Sequence, residues 1–441
     1  MASSEVDYLL FVHSARQIVQ VVGNGERVVT GEALNHVAVL DNGDDARGFS
    51  LVVSNDGLIC DIGEDDEIRQ KYENKKFLNT VNAYGRCILP GLIDAHTHPV
   101  WSGDRVKEFS MKLAGMTYMD IHKIGGGIYF TVEHTKKAST SSLLESLQAR
   151  LKEMLKSGTT LIEAKSGYGL ETQAEMRLLE VLEMAKGGHV EISSTFCGAH
   201  SVPKNMTSPE ATEAVLNEQL PALAELIQSG KVTVDNIDVF CEKGVFDLDQ
   251  SRRILTAGKE MGLQINFHGD ELHPTGAAEM GAELKAKAIS HLEKISDEGI
   301  KAMARSGTVA VILPTTAYML KLTPPPVKKM IAEQVPIALG TDFNPNAFCC
   351  SMGIAMHLAC VLCGMTMEQA LHASTINAAA SLGKADTHGS LEIGKFADIV
   401  VINAPRWEHI IYQMGSQASL IAKVIKQGRI AYDNQDSSFL V

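Results

Sequence analysis

The sequence predicts an α/β chain in which a closed (β/α)8 TIM-like barrel carries a small β-sandwich-like domain built from both chain ends. Three observations predict it. Short β-rich segments separated by Gly, Asn and Asp turns fill residues 1–89. Continuous apolar runs then alternate with longer helical stretches over residues 90–388, the pattern of a parallel sheet covered on both faces. The β pattern returns over residues 389–441. The size agrees. The chain has 441 residues, 45% apolar and 21% charged, enough for a large core and too ordinary for a disordered or fibrous chain.

The elements follow in order. In the first part, 17–22, 36–40, 50–53, 58–62 and 86–89 read as strands, and 65–72 as a short polar helix. In the second, strand-like runs at 160–164, 191–197, 236–240, 263–267, 287–290, 309–313 and 335–339 follow the strand that leads into His96. Helical stretches lie at 141–157, 172–186, 208–229, 249–261, 274–281, 296–306 and 366–381. About eight such units in roughly 290 residues fit a closed barrel better than an open sheet. In the last part GSLEIGKFADIVVINA, from Gly389, reads as a Gly-punctuated hairpin, and 420–426 followed by GRIAY as two more strands. The segment KLTPPPVKK, 321–329, reads as a stiff extended rim loop.

Charge and cysteine content exclude several classes. Lys plus Arg is 40 and Asp plus Glu 53, a net charge of −13, so the basic footprint of a nucleic-acid binder is missing. No run of apolar residues is long enough to span a membrane. The start lacks the basic region and small-residue site of a signal peptide. Eight scattered cysteines suit a reducing compartment, and a cytoplasmic location is expected. Cys360 and Cys363 form a CxxC spacing in an apolar helical run, where they read as small buried hydrophobes.

The chemistry concentrates at strand ends. In LPGLIDAHTHP, residues 89–99, His96 and His98 stand two apart on an extended run, so both imidazoles share one face. Two imidazoles converging from one strand end are half of a metal site. His268, His291 and Asp342 each follow an apolar run in the same way, at the face where barrels carry their catalytic groups. A His/His/His/Asp set holds one divalent ion with a position left for water, and its ligand types suit zinc or iron(II) alike. Glu271 lies three residues past His268, where a turn can bring it over that water as a proton carrier. Glu163 and Glu293 are competing carboxylates. Asp342 could both ligate the ion and bond the attacking water. The planar guanidinium of Arg105, in the loop after His98, suits capture of a carboxylate. Tyr118 and Tyr168 could offer hydroxyls or flat walls to a small ring but by themselves read first as packed core tyrosines, and His200 reads as either a metal ligand or a substrate contact. Gly125–Gly127 lack the flanking residues of a phosphate loop.

The segments DAHTHPVWSGDR, GGGI, KSGYGL, FCGAHSVP, NFHGDELHP and TDFNPNAF, together with the split β domain, resemble the amidohydrolase superfamily, and within it the imidazolonepropionase family. The resemblance covers nearly the whole chain. It implies one zinc or iron ion on His96, His98, His268 and Asp342. It implies Glu271 as the proton-transfer carboxylate and His291 as the group that stabilises the oxyanion and helps hold the substrate. It implies substrate contacts from Arg105, Tyr118, Tyr168, His200, Asn344 and Asn346. A small-molecule substrate, a cytosolic enzyme and a homodimer are the corresponding expectations, with no nucleic-acid or membrane partner. The rival readings are a deaminase of a cyclic base, which shares the ligands and the Glu, and a binuclear cyclic amidase. The latter needs a bridging carboxylated lysine, for which Lys165 is the nearby candidate, read here in a Gly-rich turn rather than within a strand.

Overall fold

The computed structural model describes residues 6–41, 43, 48–116 and 126–434. The chain opens with seven strands: β1 (Tyr8–Ala15), β2 (Gln17–Val21), β3 (Ala38–Asp41), β4 (Phe49–Val53), β5 (Ile59–Glu64), β6 (Phe77–Asn82) and β7 (Cys87–Pro90). Eight parallel strands follow: β8 (Leu92–Thr97), β9 (Thr159–Lys165), β10 (Glu191–Ala199), β11 (Asn236–Cys241), β12 (Gln264–Gly269), β13 (Ala288–His291), β14 (Val309–Ile312) and β15 (Ile337–Leu339). They pair in strict sequence order. The chain just past β15 returns to β8, with Asp342 N–H donating to His96 O at 3.0 Å and His98 N–H to Phe343 O at 2.8 Å. The barrel therefore all but closes on its first strand, with helices outside.

Strand alternation divides each barrel strand between two environments. Ile162, Ile237, Val239, Ile265, Phe267 and Ile289 pack outward in the main hydrophobic core. In helix Leu248–Glu260 a Cβ on Gly258 would meet Ile237 at 2.3 Å, so glycine sets the close approach of that helix to β11. The intervening residues Glu163, Lys165, Thr195, Asn236, Asp238 and His268 are buried and bonded to one another inside the barrel. Capping boxes at Thr207–Glu210, Asp247–Gln250 and Thr366–Gln369 start three of the outer helices.

The sheets from the chain ends hold three last strands, β16 (Ile399–Ile402), β17 (Ile421–Lys426) and β18 (Arg429–Asp433). One sheet runs β5-β4-β1-β6; the other runs β18-β17-β16-β7-β2-β3 and so joins both chain ends. Its central pair, β7 and β16, is antiparallel, with Leu89 opposite Val400.

Several elements differ from the sequence reading. β1 and β6 fell outside the expected strands, because YLLFVHSA reads as a plain apolar run and FLNTVN alternates at the surface. The stretch after Gly389 is not a hairpin: only Ile399–Ile402 is strand, and its antiparallel partners are β7 and β17. The helix expected over 208–229 is interrupted by a π turn at Val215–Gln219, just before Pro221, whose ring and missing N–H disfavour continuous α-helix. The stretch 366–381 divides into Met367–Ala373 and Ile376–Ser381. Pro324–Pro326 link helix Pro314–Leu320 to helix Val327–Ala332.

One charged junction joins β10 to the chain-end sheet. Glu191, at the start of β10, accepts from Lys384, His388 and Lys426, each at 3.0 Å, and Lys426 also reaches Asp398 at 2.6 Å. Burial works against the Glu191 charge, but these partners hold its carboxyl well below the usual range. A depressed carboxylate contributes stability above its unfolded pKa of about 4.3, and that contribution fades as pH falls through the folded value. Glu191→Gln is therefore expected to cost about 2 kcal/mol at pH 7. Thermal melts at pH 7 and pH 4 check this: the Tm deficit of the variant should shrink at the lower pH.

Candidate active site

The ends of β8, β12, β13 and β15 bring the expected residues together. Nε2 of His98 lies 3.3 Å from that of His96 and 3.2 Å from that of His268. Asp342 Oδ1 stands 3.5 Å from His96 Nε2 and 3.6 Å from His98 Nε2. Burial pushes the imidazoles of His96 and His98 well below their ordinary pKa, so both are neutral. Neutral imidazole is the ligating form. His268 Nδ1–H donates to Asp238 Oδ1 at 2.9 Å, which turns the Nε2 lone pair toward the cluster. His96 Nδ1 bonds Ser290 Oγ at 2.8 Å. The second oxygen of Asp342 accepts from Thr316 Oγ1. Lone pairs crowded this closely repel unless a cation lies among them, and the donor set fits a divalent metal ion.

His291 and Glu271 flank this cluster. β12 ends at Gly269 and Asp270 takes a positive φ of 51°. The Asp270 carboxylate then accepts from the backbone N–H groups of Thr275, Gly276 and Ala278, which caps the following turn. That bend places Glu271 Oε2 3.7 Å from His291 Nε2. Burial first, then Glu293 and Asp342, pushes the Glu271 carboxyl well above the usual range. Burial also keeps the His291 imidazole neutral. Backbone strain concentrates here: His291, Leu292 and Asp342 take φ of 80°, 70° and 46°, values costly for residues with a Cβ.

The competing carboxylates separate. Glu163 belongs to the barrel interior, bonded by Lys165 Nζ at 2.8 Å, by Thr97 N–H at 3.2 Å and by Thr195. Glu293 is buried 3.8 Å from His291 Nδ1, and burial pushes it up to about 8. Lys165 is the last residue of β9 rather than part of the turn after it. Its ammonium is fully buried between Glu163 and Asp238, at 2.8 and 2.7 Å. Burial disfavours that charge, yet the two carboxylates more than offset it and keep the proton on. Carboxylation needs the free amine, the form that these two carboxylates disfavour.

The expected substrate contacts surround the cluster unevenly. His200 stacks on His98, with centroids 4.5 Å apart, and donates from Nδ1 to Gly167 O at 2.9 Å. Burial lowers its pKa to about 4. Tyr168 is buried with its ring 5.3 Å from His200 and 5.9 Å from His98. Arg105 is buried and paired with Glu108. Asn344 is occupied within its own loop, donating to Asp342 O and accepting from Asn346 N–H, both at 2.7 Å. Asn346 in turn bonds Lys112. Tyr118 lies outside the described residues.

Sequence reasoning missed the supporting groups Asp238, Ser290, Thr316 and Arg150. The last donates from Nη1 to Pro99 O at 2.7 Å and Trp101 O at 3.0 Å, and its guanidinium lies 3.5 Å over the Trp101 ring. It thereby fixes the loop after His98. A polar residue within an otherwise apolar strand, three positions before the end of β11 and one before the end of β13, is the only signal in the sequence for the first two.

Comparison with known proteins places the chain in a family. The model of the family described as "Amidohydrolase family" matches residues 87–431. A protein of Nematostella vectensis named "Probable imidazolonepropionase" is 58% identical over 427 residues, covering 97% of this chain and 99% of that one. A Mus musculus protein of the same name is 57% identical over 424 residues, covering 96% and 98%. Among solved structures, a zinc-bound adenosine deaminase from Xanthomonas campestris superposes with a TM-score of 0.72 at 16% identity, over 99% of this chain and 95% of that one. That last likeness concerns the fold. Taken with the two near-full-length relatives, the match establishes that this chain belongs to the amidohydrolase family, in its imidazolonepropionase branch, and is a hydrolytic enzyme.

Proposed function

We propose that this chain hydrolyses the cyclic amide C–N bond of 4-imidazolone-5-propionate to give N-formimino-L-glutamate, a step of histidine degradation, in the cytosol. The observation that carries the reading is the placement of Glu271 and His291, 3.7 Å apart, beside three imidazoles and one carboxylate. The near-full-length likeness to proteins named imidazolonepropionase supports the substrate. No helix among the described residues is long and apolar enough to cross a membrane.

A single zinc or iron(II) ion on His96, His98, His268 and Asp342 would supply a water acidified toward neutrality and a polarised carbonyl. The chain's own residues do the rest. Glu271, held out of bulk water, accepts the proton of the attacking water. The new C–O bond forms at the ring carbonyl, and His291 bonds the oxygen on which charge develops. Glu271 then gives that proton to the ring nitrogen as the C–N bond breaks, so water is divided between the two product ends. Asp342 holds its outer oxygen on Thr316 and keeps the inner one toward the imidazoles. Arg105 pairs with the propionate, and Tyr168 and His200 offer flat walls to the ring.

The first test is turnover of freshly made 4-imidazolone-5-propionate, read as loss of ring absorbance with product mass and metal content on the same sample. Ring opening at one metal per chain is expected. Ammonia release from a cyclic base with this compound left untouched would overturn the substrate in favour of a deaminase. Glu271→Gln should retain the metal and lower kcat by about 10²–10⁴; unchanged turnover would remove Glu271 as proton carrier. Asp238→Asn should weaken metal affinity by about 10–100-fold in competition with a chromophoric chelator. Chelated protein should regain activity with whichever of zinc or iron(II) it uses.

A further inference from the structure

Arg105 and Glu108 share the first turn of helix Val106–Leu113, with Arg105 at its N-cap position. Both are buried, 9% and 8% exposed. Glu108 Oε2 accepts from Arg105 Nε at 2.9 Å and from Nη2 at 2.8 Å, so one oxygen holds one edge of the guanidinium. The other oxygen, Oε1, accepts from Gly127 N–H at 2.9 Å. Gly127 has φ 74° and ψ −153°, a backbone shape that in practice only glycine adopts, and it opens helix Ile128–Lys137. One buried carboxylate thus fastens the arginine to the turn that starts the next helix.

The clamp leaves a definite remainder. The Nη1 edge of Arg105 has no protein partner among the described residues. The Arg105 charge reaches the phenol of Tyr168, a ring beside His98 and His200. It also reaches Lys112, which bonds Asn346 in the loop after Asp342. An unclamped arginine loses about 2 kcal/mol of side-chain freedom when it engages a ligand, and a clamped one has lost it already.

We propose that Glu108 is a positioning residue: by holding one edge of Arg105 it fixes the free edge that takes the substrate carboxylate, and so sets the preference for a carboxylate-bearing ring. This rests on the reading of Arg105 given above. Charge and position pull in opposite directions, which makes the idea testable. If Glu108 acted only as a counter-charge, removing its charge would strengthen the pull of Arg105 on an anion. If it positions, removing it weakens that capture.

The experiment uses the full-length, metal-loaded protein and two probes that differ in the carboxylate, imidazole-4-propionate and 4-ethylimidazole, with Kd read by calorimetry beside KM and kcat. Native protein should prefer the carboxylate probe. Glu108→Gln should raise KM and the Kd of that probe by about tenfold, with kcat changed less than about threefold and the neutral probe unaffected. Arg105→Ala is the control for the underlying reading. If it keeps the carboxylate preference, that reading fails and the proposal with it. If it loses the preference while Glu108→Gln keeps or strengthens it, Arg105 stands and Glu108 as a positioning residue is overturned. Equal weakening of both probes by Glu108→Gln overturns it too. Glu108→Asp, which keeps the charge but withdraws the fork by one methylene, replaces the Gln variant should that not fold. The same carboxylate-specific loss is expected, and a native preference overturns the proposal.

Discussion

A single buried positive charge organises the interior of this barrel. The Lys165 ammonium has no contact with solvent and rests between Glu163 and Asp238. Such a charge is tolerable only where partners are close and fixed. Both partners therefore have to hold strict register with it, Glu163 on the same strand and Asp238 two strands away. Asp238 passes the constraint upward, because its other oxygen holds His268 Nδ1. The carboxylate is thus shared between a structural ammonium and a group of the candidate metal centre. Barrel register and imidazole orientation are one electrostatic problem with one solution.

The outer and inner faces of the same strands answer to different physics. Outside, apolar residues pack under helices and tolerate any good fit of volume. Inside, hydrogen-bond geometry admits few alternatives. The strained backbone at His291, Leu292 and Asp342 belongs to the second regime. These residues hold conformations that an isolated strand end would abandon, and the surrounding bonds keep them there.

The fold was legible because alternation of strand and helix survives in the apolar runs, and because His96, His98, His268 and Asp342 each stand where a run stops. A bend at Glu271 was also foreseeable, since a residue three past His268 has left the strand. Other features depend on partners distant in sequence. Nothing local marks Asp238 as the partner of His268, 30 residues on, or ties Glu108 to Gly127. Lys165 looked like part of a glycine turn because the strand ends on it. β1 and β6 escaped notice because each needs the other: they pair in parallel, so neither carries the turn signal of a hairpin. The segment after Gly389 failed in the opposite sense, with strong local turn signals but its strand partners at β7 and β17.

The adjacency of β7 and β16 has a consequence for how the molecule is made. The two strands are separated by more than 300 residues of chain yet lie side by side in one sheet, with the barrel inserted between them. During synthesis β7 leaves the ribosome long before its neighbour exists. Until the final strands emerge, β7 presents a free apolar edge, Ile88 and Leu89 included, to whatever else is nearby. Pairing of strands so far apart in the chain is slow. Truncation anywhere before β16 would leave that edge without its antiparallel partner.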